Sequence, residues 1–236
     1  VRPTLADRAR DGRLLVKICG ITSPVDAALA VEAGADAVGF VFWLMSPRKV
    51  TVERAAEIAR ELPETVLRVG VFVDAPREEM ARVADAVGLD LLQLHGDEPP
   101  EALAGLPRPA LKAVRVGRGF AQEVAMRYAS HAAGVVVDTR LAGETLRPGG
   151  TGVPFDWSLV KGLAERVPFL MLAGGLGPSN VAEAIRAVRP HAVDVSSGVE
   201  ALPGRKDPEK VRAFVEAART AEASLGRTEG KTWPGE

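Results

Sequence analysis

At 236 residues, with 47% hydrophobic and 26% charged side chains, the chain has the size and composition of a soluble α/β domain able to bury a sizeable core. A formal net charge of −1 gives no global attraction to nucleic acid or an anionic membrane, so neither is expected as a partner. The single cysteine excludes an internal disulfide and a cysteine-rich zinc site, and a reducing cytoplasm is the expected compartment.

The opening stretch "VRPTLADRARDGR" is too charged for a secretory signal, and no apolar run is long enough to span a bilayer. Short runs of Val, Ile, Leu and Phe then recur along the chain. They predict strands near 14–18, 37–42, 66–73, 90–94, 110–115, 134–138, 168–172 and 192–195. "AVGFVF", "VGVFV" and "GVVVD" are almost continuously hydrophobic, as strands covered on both faces of a parallel sheet must be. Helical patterns fill the gaps. Ser23-Pro24 followed by Asp26 reads as an N-cap, a first-turn proline and an acidic residue suited to the positive helix end. "DAPREEMARVADAV" repeats that grammar with Asp74 or Ala75 before its proline, and "DPEKVRAFVEAART" does so with Asp207.

Eight strands alternating with helices, at roughly 30 residues per unit, predict a single (β/α)8 TIM barrel. No Gly/Ser/Pro-rich linker divides the chain, so residues 1–236 are read as one domain, with short surface extensions at about 1–12 and 225–236. An open doubly wound sheet would carry its phosphate loop after the first strand, but "CGITSP" lacks the further glycines of G-x-G-x-x-G.

Barrel active sites form at the C-terminal strand ends. Lys17 and Cys19 close the first strand, Arg48 follows the second, and Asp74 follows the third as the expected cap of the next helix. Gln93 and His95 end the fourth in "LLQLHGDE". Lys112 lies in the fifth, Asp138 ends the sixth, and Asp194 sits on the eighth. Residues two apart share a strand face, so Lys17 points with Cys19, and Gln93 with His95. A cation beside Cys19 is expected to lower its thiol pKa. The apolar neighbours of Asp138 favour its proton-bearing form. Lys112 is expected to pair with a barrel carboxylate, and His131 and His191 fall away from the strand ends. A buried structural thiol, and an aspartate that merely caps its loop, stay open as plainer readings.

"LAGGLGPSNV" places Gly174 and Gly175 after the seventh strand, ahead of a helix expected near Pro178. "VDVSSGVE" places Ser196, Ser197 and Gly198 after the eighth. Glycines let backbone N–H groups approach an oxyanion, and these two loops form the recurrent phosphate site of the architecture. A phosphorylated small molecule is therefore the expected ligand, against the alternative of two ordinary glycine turns. "GETLRPGGTGVPFDW", residues 143–157, reads as either a mobile flap or a plain surface loop.

Taken in order, "VKICGIT", "GADAVGFVF" with "SPR", "VGVFVD", "LLQLHGDE", "VVVDT", "GGTG" with "FDW", "LAGGL" and "VDVSSGVE" resemble the phosphoribosylanthranilate isomerases, from about Lys17 to Phe214. The apolar Trp43-Leu44-Met45 is less typical of its loop, and the residues alone do not decide whether it shields a ring or makes a subunit contact. The resemblance implies a cofactor- and metal-free Amadori rearrangement of N-(5-phosphoribosyl)anthranilate in tryptophan biosynthesis, in a monomer or homodimer. It implies Cys19 as general base and Asp138 as general acid. Arg48 would hold the anthranilate carboxylate, the Gly174–Gly175 and Ser196–Gly198 loops the phosphate. His95 and Asp194 would take further substrate-side positions, and Lys17 and Gln93 are added here as neighbours on the same faces. Three rivals remain. One is the histidine-pathway aminoaldose isomerase, whose expected first-strand base is an aspartate. The others are a Schiff-base aldolase using Lys17 or Lys112, and a non-catalytic phosphate-ligand-binding barrel.

Overall fold

The computed structural model describes residues 4, 5, 7, 12–139 and 154–225. Eight parallel strands follow one another around a closed barrel: β1 (Leu15–Cys19), β2 (Ala37–Val41), β3 (Leu67–Phe72), β4 (Leu91–Leu94), β5 (Ala110–Val116), β6 (Gly134–Thr139), β7 (Leu170–Leu172) and β8 (Ala192–Val195). β8 pairs with β1 and completes the ring. Only Arg115 among these strand residues is not fully buried, which is why the strands read as unbroken apolar runs rather than as alternation.

Side chains on the two strand faces enter different layers. Val16 and Ile18 join the core between barrel and helices, while Leu15 joins Leu67, Leu91, Leu111, Val136 and Phe169 inside the barrel. Leu5 also belongs to the interior cluster and is 5% exposed, so the expected N-terminal surface extension contributes a buried plug. Residues 226–236 lie outside the described residues.

The helices are α1 (Pro24–Glu32), α2 (Val52–Glu61), α3 (Arg77–Val87), α4 (Gln122–Met126), α5 (Val181–Val188) and α6 (Pro208–Ser224). Ser23 caps α1 by accepting the Asp26 N–H at 3.1 Å, and Asp207 caps α6 by accepting those of Glu209 and Lys210. Asp74 does not cap α3. It lies two residues before the cap position, at φ +49°, and its Oδ1 accepts the Asp97 N–H at 2.8 Å, tying the β3 and β4 loops together. Helices do not follow every strand. Pro99, Pro100, Gly105 and Pro107 leave only a 3-10 turn, Pro100–Leu103, after β4. After β6 the described residues hold two 3-10 turns, Trp157–Val160 and Leu163–Glu165; most of the 143–157 connection lies outside them. An unforeseen hairpin, β9 (Glu200–Leu202) and β10 (Arg205–Lys206), stands between β8 and α6.

A polar latch fastens the barrel floor. Asp36 accepts the Val16 N–H at 2.9 Å and pairs with both Arg13 and Arg219. Arg219, on α6, also donates to Leu14 O at 2.6 Å and Gly34 O at 3.1 Å. One side chain of the last helix thus binds the starts of β1 and β2. We expect Asp36→Ala to lower the free energy of urea unfolding by about 2 kcal/mol, because it strands the Val16 N–H and takes one of two carboxylate partners from Arg219. The kcat should stay near wild type, since the latch lies at the opposite end from the site below.

Candidate active site

One cavity opens at the C-terminal strand ends. Ten of the twelve site residues singled out in the sequence line it, all but Lys17 and Gly198. Gly198 instead packs under the Leu176 carbonyl, holding the β7 and β8 loops together.

Cys19 is the last residue of β1, and Gly39 of β2 stands beside it in register. A side chain at Gly39 would bring its Cβ within 2.6 Å of Cys19 Sγ, so the glycine makes the room that the sulfur occupies. Val41, Val71 and Trp43 pack around the sulfur as an apolar wall. Trp43 therefore faces the cavity, whereas Leu44 and Met45 are 78% and 77% exposed.

Lys17 lies below, 0% exposed, donating to Asp194 Oδ1 at 2.9 Å. Burial would lower its pKa, but the charges of Asp194 and Cys19 outweigh that and hold it above the ordinary lysine value. The expectation for the thiol is corrected. Burial pushes Cys19 up and Asp194 adds to the push; Lys17 and Lys206 pull the other way without prevailing. Lys17 is too well compensated by Asp194 to act as a free cation. Lys17 does not itself line the cavity, so any part it plays is through Cys19 and Asp194, which do.

Asp138 is the next-to-last residue of β6, three strands from β1 around the ring. Its Oδ1 accepts the Thr139 N–H at 2.7 Å, and Oδ2 lies 3.0 Å from His95 Nε2. That second contact is close but off the line a hydrogen bond needs, leaving Nε2 without a well-aligned partner. Gln93 Nε2 stands 3.3 Å from His95 Nδ1. The Gln93 amide therefore faces the edge of the imidazole opposite to the one that faces Asp138. Gln93 Oε1 is buried with no hydrogen-bond partner among the described residues.

Gly174 presses against Asp138 at φ +82°; a Cβ there would stand 2.7 Å from Oδ1. The amides of Gly174 and Gly175 have no acceptor among the described residues, and Ser196 and Ser197 face the same part of the cavity. The helix expected near Pro178 begins at Val181. Asn180 instead folds back, accepting the Gly177 N–H and donating to Gly175 O at 2.9 Å, which shapes the loop.

Arg48 reaches the cavity already engaged. Its Nε and Nη2 each donate to Glu200 at 2.8 Å. Glu200 and its neighbour Lys206 were not foreseen as site residues, although Glu200 stands inside "VDVSSGVE". Lys112 pairs with Glu98 at 2.9 Å, as its strand position suggested, and also binds the Gly96 carbonyl. Neither Lys17 nor Lys112 lines the cavity, which leaves a Schiff-base aldolase without an accessible amine.

A sequence model described as N-(5'phosphoribosyl)anthranilate isomerase matches residues 16–217. The chain belongs to that family. N-(5'-phosphoribosyl)anthranilate isomerase from Pseudomonas fluorescens Pf0-1 is 54% identical over 204 residues, covering 86% of this chain and 97% of the relative. The Pseudomonas paraeruginosa PA7 enzyme of the same name is 52% identical, with 91% and 97% covered. Among solved structures, phosphoribosyl anthranilate isomerase from Thermotoga maritima superposes with a TM-score of 0.82 at 45% identity, covering 88% of this chain and 100% of its own. A family structure in complex with reduced 1-(o-carboxyphenylamino)-1-deoxyribulose 5-phosphate gives 0.79 at 43%, with 88% and 100% covered. Membership in this isomerase family fits a rim with a thiol, a carboxyl group and glycine loops around one cavity.

The thiol's surroundings yield a direct test. Replacing Asp194 with Asn removes a negative charge that raises Cys19 and frees the charge of Lys17. The pH midpoint for iodoacetamide alkylation of Cys19 should therefore fall; a midpoint that stays or rises would refute this account of the thiol.

Proposed function

We propose that this chain is a phosphoribosylanthranilate isomerase of tryptophan biosynthesis, in which Asp138 is the general acid and Cys19 the general base. The observation that carries the assignment is the placement of sulfur and carboxyl on separate strand ends lining one cavity, in a chain of this family. The substrate is N-(5-phosphoribosyl)anthranilate, the product 1-(2-carboxyphenylamino)-1-deoxyribulose 5-phosphate.

The reaction needs a proton delivered to the ring oxygen as the aminosugar opens. Asp138 supplies it, and the Thr139 N–H on Oδ1, with His95 3.0 Å from Oδ2, steadies the carboxylate that remains. Opening leaves a protonated Schiff base, which acidifies the proton on C2. Cys19 removes that proton as thiolate and gives the enolamine, which tautomerises to the ketone. A buried thiol is sparsely ionised in the free protein, yet once ionised it is a stronger base than a free one. The cationic Schiff base favours ionisation at the moment the base is needed.

Two anchors place the sugar between acid and base. The amides of Gly174 and Gly175, which have no acceptor among the described residues, suit the phosphate together with Ser196 and Ser197. Arg48 suits the ring carboxylate through the guanidinium nitrogens that Glu200 leaves open. Trp43 lines the same cavity and offers an aromatic face to the ring. Fixing both ends converts binding energy into orientation of the reacting carbons.

Cys19→Ala and Asp138→Asn should each lose at least about a hundredfold in kcat while retaining the wild-type circular dichroism spectrum. Arg48→Ala should chiefly raise KM. In an anthranilate-fluorescence assay, near-normal turnover by either of the first two variants removes that residue from its role. Turnover of the histidine-pathway aminoaldose in place of the anthranilate substrate would favour the rival isomerase.

A further inference from the structure

Arg48 and Glu200 pair through two hydrogen bonds, and such a pair sums to zero charge. A neutral pair exerts little Coulombic pull on an anion. Yet Arg48 is the residue through which the proposed mechanism holds a carboxylate. A third side chain changes the sum. Lys206, 3% exposed, donates from Nζ to Glu200 Oε1 at 3.0 Å and to Ser196 O at 3.2 Å. The Gly204 N–H adds a bond to the same Glu200 oxygen at 3.3 Å. Arg48, Glu200 and Lys206 together carry a charge of +1 at the cavity wall, enough to match one carboxylate.

We propose that Lys206 is a specificity-determining residue for carboxylated ligands, because it neutralises Glu200 and so leaves the Arg48 charge uncompensated, while Glu200 is the positioning residue that orients the guanidinium. This rests on the reading of Arg48 as the carboxylate clamp. Each member has a separate task. Glu200 occupies the Nε and Nη2 edge of Arg48 and leaves Nη1 without an acceptor among the described residues. Glu200 is itself ionised: burial would raise it, but Arg48 and Lys206 hold it below the usual carboxylate range. Burial pulls Lys206 below the ordinary lysine value, and the Glu200 carboxylate works against that pull. All of Glu200, Gly204 and Lys206 come from the β9–β10 hairpin, so the hairpin delivers the counter-charge and its compensation as one unit.

Two product analogues separate the charge effect from all others: 1-(2-carboxyphenylamino)-1-deoxyribitol 5-phosphate and its 1-phenylamino counterpart without the carboxylate. Their Kd ratio, measured by calorimetry at fixed ionic strength, reports the preference for the carboxylate and cancels general loosening of the site. The wild-type protein should prefer the carboxylated analogue. Lys206→Met, close in shape and uncharged, should lose at least about tenfold of that preference. Lys206→Met combined with Glu200→Gln restores a net +1 through Arg48 alone, and should regain most of it. In turnover, Lys206→Met should raise KM with kcat little changed. An unchanged Kd ratio in Lys206→Met, or a folded double variant that fails to recover, overturns the proposal. So does a fall in kcat at constant KM, which would place Lys206 with the thiol instead. A wild-type protein indifferent to the carboxylate removes the Arg48 clamp together with this inference, whereas the Cys19 and Asp138 variants test the acid–base assignment by itself.

Discussion

The buried ion pair between Lys17 and Asp194 is the interaction on which the rest of the site depends. It joins the first barrel strand to the last, 177 residues apart, at a position where the two strands are in register. The layer beneath is wholly apolar, with Leu15, Leu67 and Leu111 filling the barrel. A charged pair in that setting is costly to desolvate, and its Coulombic gain offsets the loss only when the geometry is good. At 2.9 Å it is good. The consequence for chemistry is that the floor under Cys19 is neutral overall, which lets burial decide the state of the thiol.

Cys19 and Asp138 accordingly stand in different surroundings. Cys19 has an apolar wall of Val41, Val71 and Trp43 and a compensated floor. Asp138 has a peptide N–H on one oxygen and an imidazole near the other. Burial holds the thiol above its ordinary pKa in the first environment, whereas the second sets a peptide donor against one carboxylate oxygen. The two groups thus share one cavity without sharing the same neighbours. Arg48, the two glycines Gly174 and Gly175, and the serines Ser196 and Ser197 line the cavity from the β2, β7 and β8 loops, clear of the β4 loop that carries His95.

Much of this was legible in the sequence because it depends on single strands. Continuous apolar runs located all eight strands, and the residue at the end of each run became a residue of the rim. Cys19, Asp138 and His95 could be read that way without knowing the fold in detail. The features that escaped depend on two segments meeting. Asp74 sits where a cap belongs, but the β4 loop comes close enough to take its carboxylate first. The thiol is raised where a lowering was expected, since burial outweighs the pull of Lys17 and Asp194, across the barrel seam, adds to the rise. Glu200 and Lys206 look like ordinary polar residues before a helix, and nothing local announces that Arg48 lies between Glu200 and the cavity. Proline and glycine between β4 and β5 were visible, but the eight-unit repeat outweighed them in the prediction of a helix there.

A common construction underlies the rim. Lys112 binds Glu98, whose other oxygen takes the N–H groups of Asp74 and Gly96, and the Tyr128 hydroxyl holds the Glu98 carbonyl. This network fixes the loop that begins at His95, whose own N–H is held by Phe72 O at 2.8 Å. Lys17 with Asp194 does the same beneath Cys19, and Lys206 with Glu200 behind Arg48. In each case a buried cation–carboxylate pair stands behind a residue that lines the cavity. Apolar packing alone would leave such loops several arrangements of similar energy, because hydrophobic contact is non-directional. Charged hydrogen bonds in a dry setting have one good geometry, and departures from it are costly. The floor of the barrel, held by Leu15, Phe169 and the Arg219 latch, supplies stability; the pairs at the rim convert part of it into fixed positions for a thiol, an imidazole and a guanidinium.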